Sequence, residues 1–361
     1  MFAWWFAAAG CDPKFAEEEL AGARHLYTRL TSNVKGTASV KVPFYAQETA
    51  FLATVTTEAP NAAHFRSVRD TNDAPVFEAF AWNDSPYSKT NAGFVADVVS
   101  LNWPIQADDP TVFPGKWAFE IGVVDANKNY IAAPITLDLL VKDDPDFEAG
   151  ALDVSVVYAG GLERDDALWA AVEEAKLQWV DLYAAMGIDV SFTSYAYAPG
   201  DLGAPAFGDE TAYVDIANDT APRSVNLVIS DEIAGYSDIY GIAGDIPGPL
   251  IPTTRSAVQV SASLAAGTDW EFTPEEVRLL AETMAHEVGH YLGLYHPVEI
   301  EWGAWDVLPD TPECQSEEEC IDELGANLMF PYPVCGPASC TPQDDLTQEQ
   351  AAVANRYTAT W

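Results

Sequence analysis

The chain has 361 residues, with 17 Lys and Arg against 56 Asp and Glu, a formal net charge of -39, and it is 48% hydrophobic and 12% aromatic. That much apolar content excludes an intrinsically disordered chain, and the length predicts two domains that each bury their own core. The negative field excludes nucleic acid and anionic membrane surfaces as partners, and no stretch reaches the roughly 18 apolar residues of a spanning helix.

Residues 1–10, MFAWWFAAAG, are apolar, end in small residues and run into Cys11. The segment resembles the Ala-Ala-Gly-Cys lipobox of a bacterial lipoprotein signal, which implies a lipidated Cys11 and membrane association through that anchor alone. It departs from the pattern in its short length and its lack of a basic leading region. An ordinary apolar N-terminus with a buried Cys is the alternative.

Residues 12–33 read as a linker, with helical character over 15–30 followed by Thr31-Ser32-Asn33. From 34 to 145 the pattern turns to short β-rich runs at 38–42, 50–55, 76–82, 117–123 and 135–141. Turn clusters such as Asn83-Asp84-Ser85-Pro86 and Asp125-Ala126-Asn127 divide them. Such spacing predicts an all-β sandwich, the Pro114-Gly115-Lys116-Trp117 approach to a strand resembles immunoglobulin-like modules, and no catalytic residue types cluster there. Asp143-Asp144-Pro145-Asp146 marks the boundary. In residues 150–361 strands at 152–156, 188–192 and 225–229 alternate with a helix whose Leu168, Val172, Ala175, Trp179, Leu182 and Met186 share a face. This predicts a mixed α/β sheet with a right-handed crossover.

The next helix carries the chemistry. Thr273-Pro274-Glu275-Glu276 supplies a capping threonine, Pro at the first helical position and Glu at the third. His286 and His290, four residues apart, put two ring nitrogens on one face, and Glu287 sits one step round, too far to ligate but close enough to serve as general base for the attacking water. His296 would lie about 9 Å beyond His290 on a continued helix. The chain therefore has to turn, and Gly293 permits the left-handed conformation that does so. Three of the five His in the chain fall at ligand spacing around this Glu. Three His, one open coordination position and an adjacent carboxylate define a hydrolytic zinc site with a single catalytic ion.

Apart from Cys11 the cysteines are Cys314, Cys320, Cys335 and Cys340. An even, clustered set predicts two disulfides in an oxidising compartment, with three connectivities open. Spacings of C-x5-C and C-x4-C lack the C-x2-C knuckle that a thiolate zinc site would show.

The order His286-Glu287-x-x-His290-x-x-Gly293-x-x-His296, with Asn327-Leu328-Met329-Phe330 downstream, resembles the metzincin clan of zinc metallopeptidases. Within the clan it is similar to the pappalysin or cytophagalysin-like family. The likeness includes Asp310-Thr311-Pro312, a Cys on each side of the Asn-x-Met, and Leu346-Thr347-Gln348-Glu349-Gln350, and it covers the chain from about residue 152 onward. It implies a metzincin-like α/β catalytic domain in which Met329 forms an apolar floor beneath the three His. It also implies an S1' wall from Phe330, Pro331 and Tyr332. Residues 256–261 would be either the antiparallel edge strand that aligns substrate or an ordinary sheet strand, and Gly241, Gly244 and Gly248 would belong to a mobile loop rimming the cleft. Asp306 and Asp310 read first as a solvated acidic loop, and they also resemble calcium ligands of the pappalysin-like enzymes. Phe330-Pro331 stand where the family has Asp-Tyr, so Tyr332 comes one place late and its part in catalysis is open. Pro331 instead resembles the Met-x-Pro of matrixins and adamalysins, and no cysteine or aspartate switch marks a pro-segment.

The expected protein is a secreted or surface-anchored zinc endopeptidase acting on protein or peptide substrates. A binding lipoprotein or adhesin with a structural or inactive zinc domain is the alternative; Glu287 disfavours it, since a structural site needs no base.

Overall fold

The computed structural model describes residues 14–358 apart from 21–22, 80–86, 143–146, 148, 206–210, 267–268 and 337–338. Cys11, the lipobox and the acidic boundary at 143–146 lie outside the described residues. Ten strands come first: β1 Ala16–Leu20, β2 Ala23–Thr31, β3 Thr37–Phe44, β4 Ala50–Thr57, β5 Ala62–Arg69, β6 Pro75–Glu78, β7 Tyr87–Ser88, β8 Val98–Trp103, β9 Gly115–Val124 and β10 Pro134–Lys142. One sheet runs β1-β2-β10-β4-β8 and another β3-β9-β5-β6, with every pairing antiparallel. The two share one core. At its centre Trp117 is fully buried and meets Phe44 edge-on at 5.5 Å and Phe51 at 6.2 Å.

Two expectations need correction here. Residues 16–20 and 23–31 are strands instead of a helix, so most of the described part of 12–33 belongs to a sheet instead of a linker. In β2, Leu26, Thr28 and Leu30 are buried while Tyr27, Arg29 and Thr31 face out, a period of two that pairing with β10 selects over a helix. Strands β5 and β8 gave no clear sequence signal. His64, Arg66 and Arg69 break the apolar run of β5, and β8 is buried at every residue, so it shows no alternation.

The second half contains β11 Gly150–Ala159, α1 Asp166–Ala184, β12 Ile188–Tyr197, α2 Ala212–Asp219, β13 Val225–Ser230, β14 Gly241–Ala243, β15 Val258–Ser261, α3 Ala262–Ala266, α4 Pro274–Tyr291, β16 Trp305–Asp306, α5 Glu317–Leu324 and α6 Gln348–Thr358. Its mixed sheet runs β12-β11-β13-β15-β14, parallel except for β14. Helix α1 starts on Asp165, whose carboxylate accepts from Leu168 N, and buries Leu168, Val172, Ala175 and Trp179 as their spacing predicts. Helix α4 packs Leu280, Met284 and Val288 into the same core, and the Tyr183 hydroxyl of α1 donates to its Ala285 carbonyl at 2.8 Å.

The antiparallel edge is β14. Strand β15 lies inside the sheet between β13 and β14, with all four residues buried and Gln259 hydrogen-bonded to Tyr213 and Ser230, so 256–261 does not form the edge. Gly241 to Ala243, expected as loop, provide it instead. The parallel bridge of β16 to β7 ties this half to the first. Disulfides join Cys314 to Cys320 and Cys335 to Cys340, choosing one of the three connectivities. They accord with an oxidising compartment. Among the described residues no helix is long and apolar enough to cross a membrane.

Candidate active site

Helix α4 begins with the capping box expected at Thr273. Its side chain accepts from Glu276 N at 3.3 Å, and Glu276 Oε2 accepts from Thr273 N at 2.7 Å. Its far end carries His286, Glu287 and His290. Beyond Tyr291 the helix closes through Leu294 N to the Gly289 carbonyl at 3.0 Å, with Gly293 at φ +103°. That conformation is costly for any residue with a Cβ, and it reverses the chain so that His296 comes back to the helix.

The three imidazoles converge. Their ring centroids are 4.7, 4.7 and 5.3 Å apart, and one nitrogen from each lies within 4.8 Å of the others. The remaining nitrogens are engaged: His286 Nδ1 with the Leu328 carbonyl at 2.7 Å, His290 Nδ1 with the Leu294 carbonyl at 2.7 Å, and His296 Nδ1 with Glu299 Oε2 at 2.9 Å. Carbonyl and carboxylate oxygens accept only, so each Nδ1 donates and each Nε2 keeps a bare lone pair. His290 Nε2 and His296 Nε2 then face each other at 3.1 Å. A shared cation relieves this opposition, and three neutral imidazoles with fixed tautomers are a donor set that suits zinc. Burial, and then the neighbouring His296, lower the His286 pKa to about 3 and depress His290 well below the ordinary value. Both rings are thus held unprotonated, as ligation requires.

Glu287 lies beside the triad, 7% exposed, and burial pushes its carboxyl up to about 8; a nearby dication acts in the opposite direction and favours the carboxylate. The Glu287 side chain lies against the backbone of β14. A Cβ added at Gly241 would sit 2.4 Å from Glu287 Cγ and 2.7 Å from its Oε1. Beneath the helix, Met329 is fully buried with its Sδ against Gly289, where a Cβ would come within 2.7 Å. The Met329 amide donates to Asn327 Oδ1 at 2.9 Å, and the amide groups of Asn327 and Gln350 bond each other reciprocally at 2.8 and 3.1 Å.

These groups open on a cleft of about 540 Å³ lined by the three His, Glu287, residues 238–246 and residues 330–333. Phe330, Pro331 and Tyr332 are all in its wall. The Tyr332 hydroxyl donates to Glu317 Oε1 at 3.0 Å. Asp306 Oδ1 accepts from Leu308 N and Thr311 Oγ1, and Asp310 Oδ2 accepts from Glu349 N at 2.9 Å. Burial pushes Asp306 up to about 7.

The sequence reading missed Glu299, and it named Gly241 and Gln350 without their contacts to Glu287 and Asn327. Glu299, three residues after His296, was locatable from spacing, whereas Gln350 and Gly241 are brought in by folding from 23 residues beyond Asn327 and 46 residues before Glu287.

No family model and no curated protein matches the chain. Among solved structures it is similar to archaemetzincin from Methanopyrus kandleri, with 16% identity over 57% of this chain and 86% of that one and a TM-score of 0.31. It is also similar to metalloproteinase-II from Bacteroides fragilis, with 15% identity over 54% of this chain and 62% of that one and a TM-score of 0.29.

Proposed function

We propose that the protein is a zinc-dependent endopeptidase acting on protein or peptide substrates. One observation carries this reading: three bare Nε2 atoms converge on a point beside a buried carboxylate, in an open cleft. His286, His290 and His296 would hold the ion. Zinc bound there supplies Lewis acidity toward water and toward the scissile carbonyl. Glu287 takes the proton of the attacking water and returns it to the leaving amine. Met329 and the Asn327–Gln350 pair hold the floor on which the rings rest, and Glu299 fixes the tautomer of His296.

Substrate would lie extended along β14, which lines the cleft and whose outer edge pairs with no strand among the described residues, adding a strand by backbone hydrogen bonds. Phe330, Pro331 and Tyr332 would shape the pocket for the residue after the cleaved bond. The two disulfides support an extracytoplasmic setting, and Cys11 would supply a lipid anchor. Residues 34–145 we read as the core of an immunoglobulin-like sandwich, which β1 and β2 extend.

Peptide-library digestion read by mass spectrometry tests the activity. Zinc-loaded full-length protein should cut the library, a chelator should abolish cutting, and added zinc should restore it. Cleavage that survives chelation would overturn the reading in favour of a metal-independent enzyme; a zinc-loaded protein that cuts no peptide and no denatured protein would favour the binding-lipoprotein alternative.

A further inference from the structure

The β-rich half reaches into the cleft through Asn91, which opens the short 3-10 turn Asn91–Gly93 and lies in the cleft wall. Its backbone N–H donates to the Ile246 carbonyl at 2.9 Å, its Nδ2 donates to Asp245 Oδ1 at 3.2 Å, and its Oδ1 accepts from the Tyr295 hydroxyl at 2.7 Å. Asp245 lies two residues past the end of β14, and Tyr295 immediately precedes His296. One side-chain amide therefore joins the strand proposed to align substrate to the loop that carries the third histidine. A second strut runs alongside. Asp97 accepts from Thr254 Oγ1 at 2.8 Å and from Arg255 Nε at 3.1 Å, and the Arg255 guanidinium donates to the Gly244 carbonyl at 3.2 Å.

The chemistry at position 91 is selective. Tyr295 must donate and Asp245 accepts, so the bridging group has to accept on one side and donate on the other, which an amide does in one plane. An aspartate would keep the bond from Tyr295 and set two carboxyl groups against each other. Alanine would take the acceptor from the Tyr295 hydroxyl and leave Asp245 Oδ1, on a residue only 5% exposed, with the Ile246 N–H at 2.9 Å in place of two donors.

We propose that Asn91 is a positioning residue of the active centre, fixing the His296 loop and β14 relative to each other, so that the β-rich half is an integral part of the cleft. The inference rests on the peptidase reading above.

The test uses the full chain with Asn91→Ala, Asn91→Asp and Tyr295→Phe, all assayed well below their unfolding temperatures. Zinc affinity is measured by competition with a chromogenic chelator, and kcat and KM are measured on one cleaved peptide. Asn91→Ala should weaken zinc binding about tenfold, the lower end for loss of a group supporting metal ligands, and should also raise KM. Tyr295→Phe should reproduce the loss of zinc affinity with KM little changed, whereas Asn91→Asp should raise KM with zinc affinity near wild type. A merely structural contact would lower the unfolding temperature and move neither quantity, and that result in Asn91→Ala and Tyr295→Phe overturns the proposal. Should Asn91→Ala fail to fold, Tyr295→Phe, which removes a single oxygen, decides by its zinc affinity. Wild-type protein that binds zinc and cleaves peptide while the variants match it sinks this proposal alone; wild-type protein that binds no zinc sinks the peptidase reading and this inference with it.

Discussion

Glu287→Gln should lower kcat for peptide cleavage by about 10²- to 10⁴-fold, the range lost when a positioned general base is removed. The amide has nearly the same volume as the carboxyl and fits the same buried space against Gly241, so the helix and the triad above it are undisturbed. Zinc content and KM should therefore stay near wild type, and the loss should fall on kcat alone. Single-turnover cleavage with parallel metal analysis checks it. A variant that keeps its zinc and more than a tenth of its activity would remove Glu287 from the role of base.

The second large effect is expected at a residue with no functional group. Gly241→Ala places a methyl 2.4 Å from Glu287 Cγ and 2.7 Å from its Oε1. Gly241 lacks the positive φ that would make alanine strained, so the β14 backbone accepts the change. The Glu287 carboxyl is the soft partner in the collision, and it must swing out of place. A displacement of about 1 Å in a reacting group can cost about 10²-fold in rate. The variant should fold, bind zinc as wild type does, and turn over about 10²-fold more slowly. Unchanged kcat would mean that Glu287 works in a position other than the one described.

How much of this the residues announced depends on how local each signal is. The zinc helix is fully local: the Thr273–Glu276 box, the four-residue step from His286 to His290 and the turn at Gly293 all lie within one stretch of chain. Met329 is further away, and the Asn-x-Met pattern marks it. The mixed sheet followed from the periodicity of α1 and its flanking strands. Other features escaped because they depend on tertiary partners. Strand β2 has a period of two that its helical-looking composition hides, and β10 decides the outcome. The short edge β14 carries two small residues and one Ile, too few for any periodic pattern. The Asn327–Gln350 pair and the Asn91 bridge span 23 and 204 residues, beyond the reach of spacing rules.

The central claim is that one zinc ion sits among His286, His290 and His296. Elemental analysis of freshly purified full-length protein, repeated on His290→Ala, tests it most directly. The wild type should carry, or take up on dialysis against zinc, one equivalent per chain, and the variant should retain none after the same treatment. Folded wild-type protein that neither contains zinc nor acquires it, or a His290→Ala variant that binds it equally well, would contradict the account.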